Sequence, residues 1–350
     1  MSAVLAHYES FLVNNVSAIS TLESSLRSIT WILPGRFKDA ELASEALSAL
    51  LNSMSMYHDT LLSKFVHSHP KYRPLIPSTL HSRYTRAWSD KSRLYKWIAR
   101  SLELVRYLEL LVEMGLRRKV SVKARWRSVV FIEIIKAVLR LILLKITKRP
   151  LISPLIPERE FDPAALPELS DDASSPTLAP SSPPSSLPST PEHFKNNHIP
   201  LPPHSLLTPP PPNHSPQPVE DYLLPKALTT ADWTAEILFT LRPLVYVAAM
   251  LASDRKSNRP LLTALAFEFL SRNLRRVPSS SSSLERSEYA KRDRDIVWYL
   301  LRGSIWQEWT RPKVEAFVDS TSRTPLVGLL GALVKDWIPL IDEYYYYTAP

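Results

Sequence analysis

Apolar residues recur at spacings of three and four along most of the chain, and clusters of proline interrupt them; this period predicts helices. Val4, Tyr8, Phe11, Leu12, Val16, Ile19, Leu22, Leu26 and Ile29 place a first helix on 2–33, ended by Pro34-Gly35. Leu42, Ala46, Leu50, Met54 and Leu61 give a second over 39–66, before a loop with Pro70, Pro74 and Pro77. Trp88, Tyr95, Ile98, Leu102, Val105, Leu108 and Leu111 predict one helix over 84–114, with a bend at Gly115. Asp232 reads as the N-cap of a helix running to about Ala252. A shorter apolar helix follows at 261–270, a charged amphipathic helix at 286–309, and a last apolar stretch at 325–341, ending in Tyr344 to Tyr347.

The segment 117–150 departs from this amphipathic pattern. Fourteen of the eighteen residues from Val129 to Ile146 are apolar, among them Phe131, Ile134, Val138, Leu141 and Leu144. Glu133, Lys136 and Arg140 share one narrow stripe of the helix, and Glu133 can pair with Lys136 at i,i+3. Eighteen helical residues reach about 27 Å, against roughly 30 Å of hydrocarbon. The apolar side chains favour insertion by about 7 kcal/mol, whereas three or four charges near the centre cost roughly 8 to 12. The segment should therefore lie in the interface or cross with its charged stripe against another helix. A buried core helix of a soluble bundle, its stripe facing water, is the competing reading. The stretch 237–252 offers a second, shorter candidate segment, with Arg242 and Pro243 inside it.

Charge sharpens this picture. Residues 64–149 carry 21 basic and 5 acidic side chains, while the whole chain is only +9. Lys64, Lys71 and Arg73 open that block; Arg117, Arg118, Lys119, Lys123, Arg125 and Arg127 lead directly into the apolar helix. Beside a bilayer, such a block attracts anionic headgroups at about 1 kcal/mol per cation. Interleaved with Tyr72, Tyr84, Trp88, Tyr95 and Trp97, the same cations could instead hold nucleic acid. Residues 151–225 contain twenty of the 32 prolines and a net negative charge, the composition of a disordered linker.

Chemistry is sparse. Five glycines leave no phosphate-binding loop, and zero cysteines leave no disulfide or thiolate ligand. His67 and His69 lack a third ligand at helical spacing. No catalytic constellation is visible, so no cofactor or metal is expected and an enzyme is disfavoured.

Several pieces, kept in order, resemble the peroxin-16 family of peroxisome biogenesis proteins: LPGRF (33–37), VEMG (112–115), KAVLRLILL (136–144), LRPLVY (241–246), SDRK (253–256), WYLLRGSIWQEW (298–309) and the aromatic terminus from Trp337. The resemblance implies a peroxisomal membrane protein with passage through the endoplasmic reticulum. It implies a non-catalytic role in membrane assembly, recruiting or receiving peroxin-3, with peroxin-19 as cargo chaperone. It further implies two membrane segments, here about 129–146 and 237–252, and a targeting cluster at the place of Lys64, Lys71 and Arg73. The expectation is an all-α, membrane-associated helical bundle: a region 1–150, a disordered Pro/Ser-rich linker 151–225, and a region 226–350. The alternative is a basic, soluble, helical nucleic-acid-binding protein using residues 64–127.

Overall fold

The computed structural model describes residues 7–32 (except 9 and 13), 40–68, 79–158, 224, 226, 229–253, 257–278 and 282–321, with a few positions between 331 and 342. The described residues form helices and no strand. The linker residues 159–223, Lys71, Arg73, the LPGRF piece and Tyr344 to Tyr347 lie outside them.

Helices α1 (Val16–Ile32) and α2 (Ala40–Ser68) pair along Leu12, Val16, Leu61 and Leu62. A buried His58 fastens the pair, bonded to Tyr8 Oη at 2.6 Å and to Glu23 Oε1 at 2.5 Å. The expected helix over 84–114 is two: α3 (Leu80–Lys91) and α4 (Arg93–Lys119). Ser92 divides them because its extended backbone frees its hydroxyl to accept from Tyr95 N, capping the second helix. Nothing bends at Gly115, which sits inside α4; the turn comes at Val120 and Ser121.

Helix α5 (Val122–Thr147) includes the cations 123–127 as well as the apolar run. Lys148 adopts the left-handed C-cap conformation, and the chain leaves as a non-helical strap, 149–158. That strap packs into the fold, with Ile152 and Leu155 buried. Tyr84, Trp88, Tyr95, Ile98 and Leu143 surround it, together with Leu224 and Leu284 from beyond the linker. Described residues on both sides of 159–223 thus share one core.

Helix α6 (Thr230–Ala252) starts two residues before the expected cap. Thr229 is the N-cap and Asp232 its N3 partner, each side chain bonding the other's backbone N–H. α6 packs on α5 and on α7 (Arg259–Leu274), burying Val129, Tyr246, Val247, Leu261 and Ala264. The expected helix over 286–309 is also divided. α8 (Ser283–Asp295) runs into a 3₁₀ turn, Ile296–Leu301, and a break at Gly303, whose φ of +50° suits glycine. A π turn at Trp306–Thr310 leads to α9 (Arg311–Thr321).

Candidate functional site

α5 is turned inside out relative to a water-soluble helix. Phe131 is 63% exposed, Val138 48% and Ile134 42%, whereas Glu133 is 5% exposed. Val129 and Leu144 are buried and Leu141 is half-buried. The charged stripe faces α4. Lys136 Nζ donates to both carboxylate oxygens of Glu109 at 2.8 Å and to Glu133 Oε1 at 2.7 Å. Arg140 lies within electrostatic reach of Glu133 and Glu109, and of Arg242 on α6. Helical spacing gave the Glu133–Lys136 pair, but not Glu109, which comes from 27 residues away. This arrangement is the opposite of a soluble core helix that shows its stripe to water.

α6 shares the inward pairing of charge. Arg242 and Glu268 of α7 form a buried ion pair, and Ser271 Oγ donates to Ala235 O at 2.8 Å. Among the described residues, α6 alone is long and apolar enough to cross a membrane by length and composition. Its 23 residues exceed the sixteen counted from the hydropathy of 237–252. α5 fails the same test because four charged residues fall within its apolar run, although three of them turn inward or pair.

The cations take four placements. Arg117, Arg118, Lys119, Lys123 and Arg127 are exposed where α4 turns into α5. Arg125 is half-buried, its guanidinium 5.5 Å from the Trp126 ring centroid. Lys64 is exposed near the end of α2, remote in sequence from that turn. Arg149, the last cation of the basic block 64–149, is 1% exposed and sits 5.3 Å from the Trp88 ring centroid. Tyr84, Trp88 and Tyr95 are buried as well, so those rings are unavailable to stack on bases.

Sequence reasoning missed the strap altogether. Both backbone groups of Leu151 are bound by α6 and α8: its N–H donates to Glu236 Oε2 at 3.3 Å and its carbonyl accepts from Arg292 Nη2 at 2.5 Å. Ser153 N donates to Glu288 Oε2 at 3.4 Å, and Tyr95 Oη donates to Leu155 O at 3.1 Å. Burial opposes charge on Arg292, but Glu236 and Glu288 outweigh it and hold the guanidinium firmly protonated. The available signal was the paired apolar residues, Leu151-Ile152 and Leu155-Ile156, between prolines.

No group of three or more possible metal ligands occurs among the described residues. A family model described as peroxisomal membrane protein (Pex16) matches residues 6–343. The peroxisomal membrane protein PEX16 of Schizosaccharomyces pombe (strain 972 / ATCC 24843) is 22% identical over 352 residues, covering 93% of each chain. No solved structure matches.

Proposed function

The chain belongs to the Pex16 family of peroxisomal membrane proteins, and from that premise we propose that it is a non-catalytic assembly factor embedded through α5 and α6. The observation that carries the reading is the inversion of α5: charges paired inward, Phe131, Ile134 and Val138 outward. In water this exposes apolar area and buries ions, both unfavourable; in lipid the outward side chains match their surroundings while Lys136 keeps its two carboxylates. The exposed cations at the α4–α5 turn would then rest against anionic headgroups. In this reading the bundle receives or recruits peroxin-3, with peroxin-19 delivering cargo, and it reaches the peroxisomal membrane by way of the endoplasmic reticulum.

Alkaline carbonate flotation of the full chain on vesicles tests the embedding. We expect the protein to float with lipid, and complete release into the soluble fraction would overturn it. Capture of peroxin-3 by the vesicle-bound protein tests the recruiting role; an embedded chain that retains no peroxin-3 would remove that role while leaving the embedding intact.

A further inference from the structure

Helix α4 reads from its sequence as a water-facing element, because Lys96, Arg100, Glu103, Arg106, Glu109 and Glu113 punctuate it. Its side chains are placed otherwise. Glu103 is 3% exposed and Glu113 8%, while Trp97 is 67% exposed. Leu94, Leu104, Leu108 and Val112 are exposed on the same side as Trp97, at helical steps of three and four, with only Ser101 polar among them. Glu109 turns to Lys136, and Arg100 donates to Thr60 Oγ1 at 2.9 Å. Arg106, exposed on the side of α4 away from the stripe, folds back onto Glu103 Oε1 at 3.1 Å.

We propose that the bilayer holds the α4–α5 hairpin rather than α5 alone, with lipid acyl chains lying along this second stripe on α4. The proposal rests on the reading that the chain is embedded through α5. Two features select lipid as the occupant. The α4 stripe from Leu94 to Val112 is about 27 Å long, close to the roughly 30 Å of hydrocarbon. Cations stand at both ends of each stripe: exposed Arg93 and Lys119 on α4, and exposed Arg127 and Lys145 on α5. Long basic side chains at two levels match the headgroup layers on either side of a hydrocarbon slab. A protein partner would require no such bands. The seam between the helices then supplies internally the polar contacts that lipid cannot.

The chain has no cysteine, so single-site labelling needs no background substitutions. Full-length Leu104→Cys and Leu108→Cys report on α4, Ile134→Cys and Val138→Cys on α5, and Ser24→Cys on an exposed position of α1. Each carries a nitroxide in vesicles of phosphatidylcholine and phosphatidylserine, and power saturation compares collision with oxygen and with a water-soluble nickel chelate. The expected result is an oxygen-to-nickel ratio at the α4 sites several-fold above that at residue 24, and similar to the α5 sites. A residue-24-like ratio on α4 with a lipid-like ratio on α5 would overturn this inference and leave the embedding through α5 intact. Water-like ratios on both helices would remove both. Shielding of the α4 sites from both reagents, with spin–spin broadening that disappears on dilution with unlabelled protein, would assign the stripe to a second copy and overturn the lipid contact.

Discussion

Lys136 is the keystone of the seam between α4 and α5, and its replacement has a calculable consequence. It is one cation holding two carboxylates, with side-chain exposures of 11% for Lys136, 6% for Glu133 and 21% for Glu109. Each carboxylate lies 2.7 to 2.8 Å from the same nitrogen, so the two stand no more than about 5.5 Å apart. In Lys136→Met the aliphatic stem survives and the charge goes. Two unit negative charges at that separation repel by about 3 kcal/mol at an effective dielectric near 20. Leaving a buried charge unpaired costs about 3–5 kcal/mol in general. Against a total stability of about 5–15 kcal/mol, the variant should be severely weakened. The triple variant Glu109→Gln, Glu133→Gln, Lys136→Met removes all three charges and should recover to within about 1 kcal/mol of the parent, since neutral replacement of a buried ionic group is often tolerated. Denaturant unfolding in mixed micelles, followed by tryptophan fluorescence, measures both. A single variant within about 1 kcal/mol of the parent, or a triple variant as weak as the single, would refute the seam as a coupled unit.

Three further outcomes follow from other parts of the fold. Arg292→Met leaves Glu236 and Glu288 buried without their cation and Leu151 O without its donor; it should cost about 3–5 kcal/mol and open 149–158 to limited proteolysis. Thr229→Ala removes half of the capping box of α6 and should cost about 1 kcal/mol in denaturant titration. Deleting 171–216 shortens a loop that joins two parts of one core, so the helical body should stay folded by circular dichroism and gain about 1 kcal/mol from reduced closure entropy.

The all-α class was legible because the three-four spacing is strong on α1 and α2, and the peroxisomal membrane family was legible from the ordered set of short pieces. Helix ends were less so. Ser92 stops one helix and starts the next through a single hydroxyl contact, a local choice that apolar periodicity does not encode. The orientation of α4 was only half visible. Tyr95, Ile98 and Leu102 do face the core as the spacing implies, but Leu108, assigned to the same face, is exposed, and Glu103 is buried in its stead. Reading apolar as inward presupposes water outside, and that premise fails once the surroundings are hydrocarbon. The strap escaped notice because proline richness marks a linker, whereas here the backbone of Leu151, Ser153 and Leu155 finds its partners on three different helices. Among the candidate residues, 133, 136 and 140 are brought together, and the cations of 117–127 are gathered at one turn. Lys64 comes from a different helix.

The clasp on Leu151 also sets an order of events during translation. Its carbonyl and the arginine that grips it are 141 positions apart. At about 5–20 residues per second, a ribosome needs roughly 7 to 28 seconds to make the second after the first. For that interval the amino-terminal half has left the exit tunnel with its neck unfastened and its greasy outer faces uncovered. Until the carboxyl-terminal half arrives, the backbone of Leu151 lacks both of the side chains that bind it in the finished fold.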